Sequence, residues 1–186
     1  MTPMDRIKLF TIGHSNLTLE KFLKLLRDNG ITAIADVRSV PKSKYAFQFD
    51  KNNLESSLRE IGCRYAFLGK ELGGLRTEKE CYSQGELNYE AVVALPVFQD
   101  GINRLRNGAS KYRIVMMCTE KDPKECHRFH ILSRFLRDEF EIQHILADGT
   151  RISQGDLENE TKNGRDEIVH YQEFLPEPKL GTLGSE

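Results

Sequence analysis

Short apolar runs alternate along this chain with segments whose apolar residues recur at helical spacing. Ile7–Ile12 reads as a buried strand, followed by Gly13-His14-Ser15-Asn16. A helix capped by Thr18 then carries Leu19, Phe22, Leu23 and Leu26 on one face, and Asn29-Gly30 ends it in the left-handed conformation that these residues adopt cheaply. Thr32–Val37 predicts a second strand. Asp50 can cap a helix that buries Leu54, Leu58 and Ile61 and stops at Gly62. Cys63–Leu68 predicts a third strand, running into Leu72-Gly73-Gly74. Residues 75–95 show no clear period until a short Tyr89–Leu95 helix broken by Pro96, and Val97–Arg106 predicts a longer helix. Tyr112–Cys118 is continuous and apolar, as a parallel strand covered on both faces should be. Cys126–Phe140 reads as one helix and Glu141–Leu146 as a fifth strand. Residues 153–167, rich in Gly, Glu and Asn, read as a loop, and the chain after Pro176 as a frayed end.

This alternation predicts an α/β fold: a mainly parallel sheet of about five strands flanked by helices, in a single layered domain. The expected division is an α/β domain over 1–150 and a loop-rich, partly flexible C-terminal extension over 151–186. Charge supports such a division: the 186 residues carry a net −1, with −4 in residues 151–186 and +3 before them. An excess of three positive charges does not mark a dedicated nucleic-acid binder, although a local basic groove using Lys42 and Lys44 stays open. No apolar run approaches the length of a membrane span and no leader is visible, so a protein of the cytoplasm, away from membranes, is expected. Four Cys without a CxxC pair argue against a disulfide scaffold.

In parallel α/β sheets ligands bind beyond the carboxyl ends of the strands, which gives weight to the segments just after them. The richest is Cys118-Thr119-Glu120-Lys121-Asp122-Pro123-Lys124-Glu125-Cys126-His127-Arg128. Asp122, Pro123 and Glu125 form a helix start, so Cys126, His127 and Arg128 should fall in opening turns whose free N–H groups favour anions and thiolates. At about 100° per residue from Cys126, Arg128 falls at roughly 200°, inside the apolar arc of Phe129, Leu132, Phe135, Leu136 and Phe140. His127 falls outside that arc. An inward guanidinium needs an anionic partner, and Glu120, Asp36 or a bound ligand could supply it.

Asp36-Val37-Arg38-Ser39-Val40-Pro41-Lys42-Ser43 follows the second strand and offers Arg38 and Ser43 as phosphate or carboxylate donors, with Asp36 beside them. His14 is placed for proton transfer, Ser15 lacks a G-x-S-x-G frame, and Gly73-Gly74 allows close backbone approach. Cys63, Cys81, Cys118 and Cys126 with His127 and His130 lack C-x2–4-C spacing, so neither a structural metal nor a cofactor is expected. Cys118 and Cys126 can be a redox pair or two unrelated thiols.

Thr11-Ile12-Gly13-His14-Ser15, Asp36-Val37-Arg38 with Pro41 and Ser43, Leu72-Gly73-Gly74, and Cys118-x-Glu120 followed by Cys126-His127-Arg128 and His144, in this order, resemble the domain of unknown function 488 family over about residues 7–150. The resemblance implies a compact cytoplasmic α/β domain and brings no reaction with it. The residues themselves point to an enzyme acting on a small phosphate- or carboxylate-bearing molecule, a nucleotide among the options. His14, Glu120 and Cys126 are the catalytic candidates. Ser15, Asp36, Arg38, Ser43, Gly73, Gly74, Cys118 and Arg128 are the substrate-binding ones. The alternatives are an anion-binding or thiol redox-sensing module without turnover, and a nucleic-acid accessory domain.

Overall fold

A computed structural model of the chain describes residues 6–43, 45–83 and 85–163. In chain order its first elements are β1 (Lys8–Gly13), α1 (Leu19–Asp28), β2 (Ala33–Asp36), α2 (Lys51–Glu60), β3 (Arg64–Phe67) and α3 (Gly69–Leu72). A two-stranded hairpin of β4 (Tyr82–Ser83) and β5 (Glu86–Leu87) follows, then α4 (Tyr89–Ala94) and α5 (Pro96–Ala109). The chain continues through β6 (Ile114–Cys118), α6 (Arg134–Leu136), β7 (Glu141–Ile145), β8 (Arg151–Ser153) and α7 (Gln154–Asn163).

The main sheet has six strands in the order β3-β2-β6-β1-β7-β8. All neighbours are parallel except β8, which runs antiparallel to β7. The fold is therefore α/β, with helices packed on both faces of a mostly parallel sheet. Strand alternation divides the core in two. Ile114, Met116 and Cys118 of β6 pack with Phe98, Ile102 and Leu105 of α5 and with Ile131, Leu132 and Leu136. Val115 and Met117 pack on the opposite face with Phe22, Leu25 and Leu26 of α1 and with Leu54 and Leu58 of α2. Burial on both faces makes β6 an unbroken apolar run.

This topology fixes where a ligand crevice opens. From β1 the chain crosses toward the β3 edge, and from β6 it crosses toward the β8 edge, although β1 and β6 are neighbours. Connections leaving adjacent strands in opposite directions run on opposite faces of the sheet, which marks the carboxyl ends as the usual binding place of the class. Here the two loops are tied there by the His14 N–H to the Cys118 carbonyl and the Ser15 N–H to the Thr119 carbonyl. Gly13 and Cys118 pair at that point.

Three local readings are corrected. Cys126–Phe140 is not one helix: Pro123–Glu125 is a 3-10 turn, Cys126 is extended, Arg128–Ser133 is π-helical, and only α6 continues as α-helix. Residues 151–163 of the expected loop-rich extension form β8 and α7, because the β7 edge offers backbone partners to Arg151–Ser153. The remainder of the expected loop, and the tail after Pro176, lie outside the described residues, as does Lys44. Asp50 stands at the N-cap of α2, yet its carboxylate accepts the Ser43 N–H at 2.7 Å in place of a helix N–H. Among the described residues, no helix is long and apolar enough to cross a membrane.

Candidate functional site

Cys118 closes β6, and the loop after it returns across the end of β1. The approach is so close that a Cβ on Gly13 would stand 1.8 Å from the Glu120 carbonyl oxygen, which accounts for glycine there. Asp122 accepts the Lys124 N–H at 2.8 Å and Pro123 takes the first position, so a turn starts where the sequence indicated, but it lasts three residues. Cys126 then has extended backbone, φ −133° and ψ 142°. Its carbonyl accepts from the N–H groups of Phe129 and His130, and its Sγ accepts the Arg128 N–H at 3.4 Å. The sulfur thus occupies the place a capping oxygen holds at an ordinary helix start.

Because Cys126 precedes the helix, angular counting from it misplaces His127. The ring is buried at 6% exposure, with Gly74 laid against it so closely that a Cβ there would meet Cγ at 3.0 Å. Nε2–H donates to the Val37 carbonyl at 3.1 Å. Nδ1 therefore faces both sulfurs, 3.6 Å from Cys118 Sγ and 3.7 Å from Cys126 Sγ. The three ligand-type atoms lie within 4.8 Å of one another, and all four cysteines of the chain are free. The Glu120 carboxyl lies beside both thiols, and its buried Oε2 has no hydrogen-bond partner. Arg128 is 1% exposed. Nη1 donates to the Glu120 carbonyl at 2.9 Å and Nη2 to the Lys121 carbonyl at 3.4 Å, while the buried Nε has no partner. The guanidinium meets carbonyls where a carboxylate was one expected partner; among the described residues it forms no ion pair.

Charges in this cluster order the protons. Burial alone would push the Cys126 thiol up; the hydrogen bond with Cys118, the Arg128 guanidinium and His127 outweigh it and hold Cys126 well below its ordinary value. Burial and the Cys126 negative charge push Cys118 well above its own. Burial would lower His127, yet the adjacent Cys126 charge and hydrogen bond raise it. Glu120 is raised by burial and then by the Cys126 charge. These directions favour negative charge on Cys126, next to the His127 ring and the Arg128 N–H, and the proton on Cys118.

A second network closes the end of β2. Asp36 is fully buried and accepts from Arg38 N (3.1 Å), Arg38 Nε (2.9 Å), Arg38 Nη2 (2.6 Å) and the Tyr65 hydroxyl (2.7 Å). Arg38 also donates through Nη2 to the Phe49 carbonyl and through Nη1 to His14 Nε2. His14 donates Nδ1–H to the Ser15 carbonyl at 3.1 Å and stacks on Phe49 with ring centres 4.4 Å apart. Burial and the Arg38 charge lower it to about 4. The expected anion site between the Arg38 loop and the Asp122 turn is thus not an open pair of arginines: Arg38 is engaged inside the protein, and both His14 nitrogens are taken. Ser15 adopts φ +41° and gives its N–H to the Thr119 carbonyl, tying β1 to the loop after β6. Ser43 is a turn residue whose Oγ accepts the N–H groups of Tyr45 and Ala46. Gly73 packs on Ser39.

The residue set aside in reading the sequence, weighed there only as a metal ligand, is His127. Its signal was its place next to a cysteine that ends one turn and precedes the next helix. A groove of about 600 Å³ runs along the β3 edge, lined in part by Arg59, Arg64, Tyr65, Arg104 and Tyr112. It is lined by the starts of β2, β3 and β6 (Ala33, Arg64 and Ile114), at the opposite end of the sheet from the Cys118 cluster.

Fold and site together define a two-sided α/β protein with a buried sulfur, imidazole and carboxyl cluster at the switch point of its sheet. Residues 18–136 match the family model described as Domain of unknown function DUF488, and the chain belongs to that family. The match spans Cys118, Glu120, Cys126, His127 and Arg128; His14 and Ser15 precede it. No curated protein and no solved structure is matched by the chain.

Proposed function

We propose that the protein is an enzyme acting on a small phosphate- or carboxylate-bearing molecule, with the cluster at the carboxyl end of β6 as its reacting centre. The observation that carries this reading is that two residues joined at the loop after β6 each keep a buried polar atom without a partner: Nε of the Arg128 guanidinium, whose Nη1 bonds the Glu120 carbonyl, and Oε2 of the Glu120 carboxyl. A fixed positive charge orients an anion, and an adjacent carboxyl raised above its ordinary range moves a proton. Cys118, Cys126 and His127 form the wall against which the substrate reacts. The loops covering His127 meet where Ser39 Oγ accepts the Leu75 N–H at 2.9 Å, and Val40 and Leu75 beside that bond are exposed, which suits the apolar part of a substrate.

A screen of phosphorylated and carboxylated metabolites, nucleotides included, tests this. With the substrate found, Glu120→Gln should lower kcat by about 100-fold or more, and Arg128→Lys should act mainly on KM. No turnover across the screen, together with equal phosphate and nucleotide binding by the native protein and Arg128→Lys, would overturn it. A second reading, a thiol redox-sensing module, is favoured by the free Cys118 and Cys126 sulfurs within 4.8 Å. In that case mild peroxide removes two hydrogens as a Cys118–Cys126 disulfide forms, and no metabolite turns over.

A further inference from the structure

We propose that Cys118, Cys126 and His127 bind a divalent ion of the zinc class, with its fourth position left open as at a catalytic site. Four features of the cluster support it. Its spacing is the first. With Zn–S near 2.3 Å and Zn–N near 2.0 Å, tetrahedral angles put sulfur and nitrogen donors roughly 3.6 Å apart. The two Sγ–Nδ1 separations are 3.6 and 3.7 Å, and the third edge, sulfur to sulfur, falls within the same 4.8 Å limit. The two sulfur–nitrogen edges match those of a single tetrahedral ion.

The second feature is the outer shell. A ligating histidine characteristically donates its other ring N–H to a carbonyl or carboxylate, which fixes the tautomer and aims the free nitrogen at the metal. His127 does this through Nε2–H to the Val37 carbonyl, leaving Nδ1 toward the sulfurs. The Arg128 N–H on Cys126 Sγ is likewise a donor to a metal-bound thiolate.

The third is the Glu120 carboxyl, which lies beside both thiols but outside the group of three, next to the open position rather than in it. The fourth is charge. Two thiolates and a carboxylate are balanced by a divalent ion and the Arg128 guanidinium, which has no other anionic partner among the described residues. Two sulfurs and one imidazole nitrogen select zinc over the hard, oxygen-seeking magnesium and calcium. Binding takes the remaining protons off the sulfurs, and any proton on His127 Nδ1, and releases them to solvent.

The spacing argument that excluded a metal in the sequence fails for a topological reason. C-x2–4-C describes a knuckle in which both ligands sit in one turn. Here one ligand ends a parallel strand and two begin the element after the crossover loop, so the sheet rather than a knuckle brings them together.

The inference rests on the proposed reading of the cluster as a reacting centre only for what the ion would do there: Lewis-acid support of an anionic substrate beside Glu120. Its test needs no turnover. The full chain, reduced and stripped with a chelator, is titrated with cobalt(II) and then with zinc(II). We expect one equivalent of cobalt to give sulfur-to-cobalt charge transfer and the intense visible bands of a tetrahedral site, both removed by one equivalent of zinc. Bound zinc should also protect Cys118 and Cys126, but not Cys63 or Cys81, from alkylation under mild denaturation, read by peptide mass spectrometry. Cys126→Ser and His127→Gln should weaken affinity by more than the 10–100-fold typical of outer-shell partners. Glu120→Gln should keep the charge-transfer band and alter the visible bands.

Octahedral cobalt spectra without charge transfer would overturn the proposal. So would zinc that leaves the alkylation pattern of the native protein unchanged, a readout that does not depend on any variant folding. A Cys118–Cys126 disulfide that persists in the reduced preparation would overturn it as well. Tight zinc with no turnover on any metabolite would leave the metal site standing and remove the enzymatic reading; turnover unaffected by stripping would do the reverse.

Discussion

Replacing Asp36 by Asn removes the counter-charge of a guanidinium that is 3% exposed, while leaving the side chain's shape nearly unchanged. Asp36 faces Arg38 through two side-chain hydrogen bonds, at 2.9 and 2.6 Å, and also accepts from the Tyr65 hydroxyl. An amide can accept through one oxygen only; its NH2 would face a donor, and Arg38 would be left charged with carbonyl and imidazole partners alone. Breaking a buried pair from one side costs about 3–5 kcal/mol. Against a typical total of roughly 5–15 kcal/mol, that is a large part of the stability. With a urea m-value of about 2 kcal/mol/M, the unfolding midpoint of Asp36→Asn should fall by about 1.5–2.5 M. Arg38→Lys keeps the charge but loses the fork, and should lie between Asp36→Asn and the native protein. Calorimetry with phosphate should meanwhile show Arg38→Lys binding as the native protein does. A midpoint shift below about 0.5 M for Asp36→Asn would refute the assignment of this network to folding. Selective loss of phosphate binding in Arg38→Lys would return Arg38 to the substrate site.

Burial holds His144 at about 4, with its ring nitrogens engaged by Thr11 Oγ1 at 2.7 Å and Gln154 Oε1 at 2.8 Å. The unfolded chain protonates near 6.5 while the folded one does not, so His144 removes up to roughly 3 kcal/mol as pH falls from about 6.5 to 4. In urea melts across that range, His144→Gln should lose this share of the acid slope; an unchanged slope would refute it. Gly13→Ala puts a carbon onto the Glu120 carbonyl, so the loop after β6 must shift at a cost of about 1–3 kcal/mol. Its cobalt spectrum should change with it, and a native melting temperature with a native spectrum would show that the approach is not rigid.

What could be read in the sequence was what local pattern determines. β6 stood out because both its faces are covered, and α1 because Thr18 caps it, accepting the Lys21 N–H, and Asn29-Gly30 closes it. α5 was legible over Val97–Arg106, and Pro96, read as the break after the preceding helix, is its first residue. β8 was not, since Arg151–Ser153 has too few residues for a period and is a strand only because β7 has an open edge. The Cys126–Phe140 segment has a helical period, yet Cys126 is extended and the next six residues are π-helical, an arrangement set by the fit of the loop against β1. The same fault propagated into the site. Arg128 points inward as its angle indicated, whereas His127, counted from a residue that is not in the helix, was placed outside and is buried under Gly74. Arg38 and Asp36 were legible as a polar pair after a strand; that they satisfy each other depends on Tyr65, Phe49 and His14, which arrive from three other segments.

The two polar networks at the strand ends differ in a way that stability can measure. At β2, Asp36 and Arg38 meet charge for charge, and His14 completes the network. At β6, Glu120 Oε2 and Arg128 Nε are buried without partners, and each such group destabilises a fold by about 1–3 kcal/mol. Groups of this kind persist where a ligand or a reaction uses them. The sign of a substitution should therefore reverse between the two ends. In chelator-stripped protein, Glu120→Met removes a half-buried carboxyl whose Oε2 has no partner and substitutes a flexible apolar chain of similar length, so it should raise stability by about 1–2 kcal/mol. The same variant should weaken cobalt binding and abolish any turnover, the opposition expected of a functional group held against the interest of the fold. Equilibrium urea unfolding of stripped native protein, Glu120→Met and Asp36→Asn, run side by side, decides it. If Glu120→Met falls in stability as Asp36→Asn does, the carboxyl at the end of β6 is part of the scaffold, and the reacting centre must be sought among the sulfurs and Arg128 without it.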